Sequence, residues 1–286
     1  MAIQNNAQVR SYLTDLENLW QGLDEMLGSL NGADWNRKHG PDWVMADVPY
    51  HLAYFDNDVV AINVDKGKAL PASQQWAIRS PKEIDDWNAR KFGERTRGQT
   101  PERSLAQMRA SRNYISGLVG AMSDADLGRE CWMPLLVGGW MPAAGILHGC
   151  QFHTWNHAME LRLHLEGKGP VPSDSATHRA MGTGISFLSM FLDRQAAANT
   201  QFTAVLEITG PGGGSWALKV VEGDCQVAEE RPAKSDVVLN QSAETFMKMW
   251  IGMLNPATAM QTGELKVDNM ANLPTFGSLF PRPTST

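Results

Sequence analysis

Between Glu166 and Ser175 the chain reads EGKGPVPSDS. Two prolines and two glycines in ten residues can continue neither a helix nor a central strand. The chain before this stretch must therefore pack separately from the chain after it. The length, 286 residues, is about twice that of an ordinary domain and fits the same division. The expected units are an all-helical one over residues 1–169 and an α+β one over residues 175–286.

The first unit carries helical spacing almost throughout. Val9, Leu13, Leu16, Leu19, Leu23, Met26 and Leu27 recur at gaps of three and four, and Gly28 ends the run. A second helix is expected across WVMADVPYHLAYFDNDVVAINVDKG, entered at Asp47 with Pro49 in its first turn, where a missing N–H costs nothing. A third starts on Thr100 as N-cap with Pro101 as its first residue. A fourth opens near Pro142 and closes at Gly167. Four helices of this length predict a four-helix bundle.

The second unit begins with a helix around His178–Ala197. FTAVLEITG, GSWALKVVEG, CQVAEE and SDVVLNQ then alternate or are β-branched, as strands of an antiparallel meander. GPGGGS between the first two lacks the Gly-Lys-Ser/Thr ending of a phosphate loop and reads as a hairpin turn. SAETFMKMWIGML reads as a helix, GELKVDN as a strand and Leu273–Phe280 as a last short helix.

Composition excludes several classes. The net charge of −6, with its basic residues scattered or diluted as in ARKFGERTRG, does not make a nucleic-acid surface. The polar start MAIQNNAQVRSYLTDL has no signal-peptide core, and no run of about 18 apolar residues suggests a membrane span. Cys131, Cys150 and Cys225 form no C-x-x-C pair, so a cytoplasmic chain with reduced thiols is expected.

Three of the seven histidines fall in QFHTWNHAMELRLHLEG. At about 100° per residue, His153 and His157 share one helix face, about 6 Å apart along the axis. Two imidazoles so placed can grip one metal ion, although bundle-face histidines are also met as hydrogen-bonded core. His164 is on the same stripe but about 10 Å further on, too far to share the ion, and His148 points off the stripe. Thr154 follows His153 where a zinc peptidase would need glutamate, so that chemistry is excluded. A catalytic ion needs a third ligand, and His51 is the histidine of the second helix. His39 and His178 read as loop or helix-surface residues.

WVMADVPYHLAYFD followed by HGCQFHTWNHAMEL resembles the DinB-like metal-binding four-helix bundle, a family that includes thiol-dependent transferases and mycothiol-dependent maleylpyruvate isomerases. Its ligand pattern, one histidine from the second helix and a spaced pair from the last, falls here on His51, His153 and His157. The second unit is similar to a sterol-carrier-protein type domain, most tellingly at GELKVDN and LPTFGSLF. The order of the two units matches the maleylpyruvate isomerase architecture. Isomerases of that group often carry glutamate where His153 stands; an all-histidine set is closer to other thiol transferases of the superfamily.

The resemblance implies a metal-dependent enzyme using a low-molecular-weight thiol such as mycothiol, bacillithiol or glutathione. Neutral imidazoles leave the ion its full charge, which lowers the pKa of a bound thiol. Zinc is the first choice of metal, with nickel, iron and manganese open because imidazole suits them all. Glu160 and Asp58 are candidates for orienting the imidazoles. A substrate cleft between the two units is expected, with Arg194 and Arg231 as candidate cations for an acidic substrate. The rival class is an apolar small-molecule binding protein with a vestigial or structural metal site. Phe246, Met249, Trp250 and Met253 would then line its cavity. A third class, the non-haem-iron sulfoxide synthases of ergothioneine type, needs a larger partner domain than this sequence carries.

Overall fold

The computed structural model describes residues 7–39, 43–78, 80–95 and 98–281. Part of the polar start and part of the ARKFGERTRG run lie outside those residues. The chain divides in sequence between Pro172 and Ser173 into two compact units, one mainly helical and one α+β.

In the first unit, α1 (Ala7–Gly28) buries Val9, Leu16, Leu19, Leu23, Met26 and Leu27, the stripe that its spacing predicts. The second helix is entered at Asp47 as expected, but it is not uniform. It runs as α2 (Asp47–Phe55), widens into a π-helical turn (Asp56–Ala61) and resumes as α3 (Ile62–Lys66). A π turn frees carbonyls from the regular ladder. Buried Asn63 answers them, its amide donating to the carbonyls of Asp58 at 3.1 Å and Val59 at 2.9 Å.

Next comes a helix that the sequence pattern does not predict, α4 (Pro81–Gly93). Its start signal is present, since the Ser80 hydroxyl accepts from the Glu83 N–H ahead of Pro81. Its apolar stripe is short, with Trp87 buried and Ile84 and Phe92 partly so. The third predicted helix is α5 (Pro101–Gly120), capped by Thr100. A small hairpin, β1 (Glu130–Met133) with β2 (Gly139–Pro142), then leads into α6 (Ala143–His164). The bundle core has two parts. Leu16, Trp20, Phe55, Ile115 and Ile146 belong to one; Leu23, Leu27, Leu52, Met108 and Leu161 belong to the other.

One buried ion pair ties these helices. Asp56, in the π turn, faces the Arg112 guanidinium of α5 at 3.3 Å and the Cys150 thiol of α6 at 3.9 Å. Burial pushes the Asp56 carboxyl up to about 6 even with Arg112 beside it.

In the second unit α7 (Asp174–Leu188) starts earlier than expected, on Ser173 as N-cap. It stops before α8 (Arg194–Ala197), which Asp193 caps. The strands are β3 (Gln201–Thr209), β4 (Gly214–Val221), β5 (Asp224–Ala228), β6 (Val237–Ser242) and β7 (Leu265–Asp268). GPGGGS is a hairpin turn, as its composition predicts. Gly212 has φ +71°, and a Cβ there would stand 2.5 Å from the Asp174 carbonyl oxygen.

The meander is a correction. The sheet order is β5-β4-β3-β6-β7, with β6 parallel to β3. Asp236 sets that register: its N–H donates to the Thr203 carbonyl at 2.8 Å and its carboxylate accepts from the Thr203 N–H at 2.7 Å. The helix expected over SAETFMKMWIGML is α9 (Ala243–Trp250). It ends early, with Gly252 at φ +79°, and the unforeseen α10 (Pro256–Thr262) comes after it. The last helix, α11, spans Leu273–Leu279. Among the described residues no helix is long and apolar enough to cross a membrane.

Candidate metal centre

α2 contributes His51 and α6 contributes His153 and His157, one turn apart. One ring nitrogen from each of the three lies within 4.8 Å of the others. The Nε2 atoms of His51 and His153 are 2.8 Å apart. Ligand nitrogens of a tetrahedral zinc stand about 3.4 Å from one another, so the cluster is of ion size. His51 is buried, whereas His153 and His157 keep some exposure.

Neighbouring groups fix two of the three tautomers. The Tyr54 hydroxyl donates to Asn88 Oδ1 at 2.7 Å and so must accept from His51 Nδ1, also at 2.7 Å. That places the His51 proton on Nδ1 and the lone pair on Nε2. Glu160 Oε2 lies 3.1 Å from His157 Nδ1, and a carboxylate only accepts. The lone pair of His157 is therefore on Nε2 as well. Holding the distal nitrogen in this way is the usual support of a metal-binding imidazole. His153 is positioned by packing, its ring stacked on Phe55 with centroids 3.6 Å apart and planes at 12°. Trp43 closes another side, edge-on to His51 at 4.8 Å.

The electrostatics favour neutral rings. Burial, followed by the His157 imidazole beside them, holds His51 and His153 well below the ordinary histidine value. Glu160 is held well below the ordinary carboxylate range. Burial alone would raise it, but the hydrogen bond from His157 and the His39 ring 3.0 Å away outweigh that. Protons therefore compete for His51 and His153 only at pH well under 6.5. Zinc affinity of the full chain should accordingly persist as pH falls through 6.5 and decline further into acid. Equilibrium dialysis across pH 5 to 8 checks this, and a midpoint of loss at or above 6.5 contradicts it.

His39 and Asp58 depart from expectation, and the remaining candidates fall elsewhere in the fold. His39 is not a surface residue: it is 3% exposed, and its Nε2 lies 3.0 Å from Glu160 Oε2. Asp58 pairs with Lys91 at 2.9 Å rather than with a histidine; Tyr54 takes the place it was expected to fill. His164 does lie off the first triad, and it groups instead with His39 and Glu160, ligand atoms within 4.8 Å of one another. His148 packs on the Tyr12 ring. Arg231 is paired with Glu207 within the second unit, and Arg194 opens α8 there. Trp43, Tyr54 and Asn88 are site residues that the sequence pattern does not single out. Tyr54 stands one helical turn from His51 and was the detectable one, but tyrosine in a helix reads first as packing.

The chain's own thiols are held protonated. Burial raises Cys131, raises Cys150 well above the usual range, and with Asp224 pushes Cys225 up to about 11. None has the electropositive, exposed setting of a reactive cysteine.

Comparison with known proteins agrees with this layout. Residues 15–161 match the DinB superfamily and residues 190–273 the SCP-2 sterol transfer family. Among solved structures, the mycothiol-dependent maleylpyruvate isomerase superposes with a TM-score of 0.52 at 14% identity, covering 87% of this chain and 90% of its own. At that identity the likeness establishes fold. Among curated proteins, hydroxysteroid dehydrogenase-like protein 2 of Rattus norvegicus is 32% identical over 77 residues, 27% of this chain and 15% of its own length. The Homo sapiens protein of that name is 35% identical over 74 residues, 25% of this chain and 18% of its own. The chain thus spans under a fifth of the length of these two relatives.

Proposed function

The chain belongs to the DinB superfamily, and from that premise we propose that it is a metal-dependent enzyme using a small thiol to isomerise or conjugate an electrophilic small molecule. The observation that carries this reading is the convergence of His51, His153 and His157, with Tyr54 and Glu160 turning two lone pairs inward. A divalent cation held there, zinc by first choice, would supply one thing: a lowered pKa for a thiol at its open position. The thiol comes from outside, because burial keeps the chain's cysteines protonated. Mycothiol, bacillithiol and glutathione are the candidates.

The three histidines hold position, and burial keeps His51 and His153 neutral. Trp43 and Phe55 pack against His51 and His153 and limit water beside them. The thiolate sulfur bonds to one carbon of an activated cis alkene, and the π pair moves into the conjugated carbonyl. Rotation about the new single bond and expulsion of the thiolate return the trans alkene, with no net change in atoms. If the adduct is instead protonated at carbon and released, the product is a thioether conjugate.

The test is turnover by the zinc-loaded full chain with each thiol and a panel of activated alkenes, maleylpyruvate included. Turnover should need both thiol and metal and vanish with chelator. Activity that survives chelation contradicts the reading.

A second reading is favoured by the SCP-2 match and by α9, where Phe246 stacks on Trp250 and Met253 beyond it is 51% exposed. In it the chain is an apolar small-molecule carrier whose histidine cluster is structural. That chain would bind an apolar fluorophore tightly and turn nothing over.

A further inference from the structure

We propose that His39, Glu160 and His164 form a second divalent-cation site, separate from the three-imidazole centre and joined to it through Glu160. One ligand atom from each of these residues lies within 4.8 Å of the others. Two imidazoles and a carboxylate are a donor set suited to zinc, iron(II) or manganese(II).

Two elements build the site. His39 stands on a short antiparallel bridge: Lys38 pairs with Val44, the His39 N–H donates to the Trp43 carbonyl at 3.0 Å, and the Met45 N–H to the Arg37 carbonyl at 2.9 Å. Glu160 lies on the face of α6, and His164 one turn later at its end. Arg37 reaches across and donates to the His164 carbonyl at 3.0 Å, which ties the bridge to the helix end. The rings of His39 and His164 have centroids 4.7 Å apart.

A hydrogen-bond relay from His157 through Glu160 to His39 would explain two of these residues. It does not explain His164. The His164 ring stands beside that of His39, and its Nε2 is buried without a hydrogen-bond partner. His39 Nδ1 is also buried and unpartnered. Buried unpartnered nitrogens are costly unless something meets them. A cation would meet the His164 Nε2 and the Glu160 carboxylate together.

Glu160 makes the two sites communicate. Its Oε2 accepts from His157 Nδ1 while facing His39 Nε2 at 3.0 Å. A cation on the carboxylate weakens its pull on the His157 proton and so tunes a nitrogen of the first site.

The test is metal stoichiometry, independent of activity and of the thiol chemistry. Untagged full chain is stripped with chelator, dialysed against free zinc at pH 7.5, and analysed for metal and protein. Wild type should hold about two zinc ions per chain, and His164→Ala and His164→Gln about one each. His153→Ala should lose the other ion and retain the His164-dependent one. The helix-end position of His164 makes both of its variants tolerable, and far-UV dichroism confirms folding. One zinc per wild-type chain at saturation, or two in the folded His164 variants, overturns the proposal. Wild type with one zinc and His153→Ala with none would leave the first centre standing while removing the second.

Discussion

His153→Ala should lower affinity for the first zinc at the three-imidazole centre by more than about 100-fold and abolish thiol-dependent turnover. Removing a residue that merely orients a metal ligand typically costs about 10–100-fold in metal affinity. Glu160→Ala, which frees the His157 Nδ1 proton, belongs in that lower range. His153 itself faces His51 Nε2 at 2.8 Å, so its loss removes a ligand and leaves two. Competition with a chromophoric zinc chelator measures both variants. Equal losses in His153→Ala and Glu160→Ala would mean that the ligands have been assigned wrongly.

The second large effect lies in the fold. Arg112→Ala should destabilise the chain by about 3–5 kcal/mol, because it leaves the Asp56 carboxylate buried with no cation. Asp56 is fully buried and Arg112 is 4% exposed. The cost comes from the missing partner rather than from the value of the pair. Asp56→Leu with Arg112→Met together should therefore recover much of the loss. Urea unfolding of both variants checks this, and a double variant as unstable as the single one contradicts it.

These two predictions differ in how far the sequence foretold them. His153 and His157 share a helix face by spacing alone, and the resemblance added His51. His39 gave no such signal, since it reaches Glu160 only through the Lys38–Val44 bridge. The Asp56–Arg112 pair joins residues 56 apart on different helices, and the π turn that carries Asp56 has no mark in the hydrophobic pattern. The bundle helices were legible because each buries a long stripe. α4 was not, because its stripe is brief and its cap alone carries little weight. The parallel pairing of β6 with β3 is set by Asp236 bonding to Thr203, a contact that strand periodicity does not encode.

One claim is central: three imidazoles hold a divalent cation with a position open to a thiol. X-ray absorption at the zinc edge tests it, on the His164→Ala chain loaded with about one equivalent so that the first site alone contributes. Before thiol, a three-imidazole centre predicts nitrogen and oxygen scatterers at about 2.0–2.1 Å and no sulfur. Adding the thiol should bring in one sulfur at about 2.3 Å while the imidazole signature persists. A first shell that already contains sulfur, or one that the thiol leaves unchanged, contradicts it.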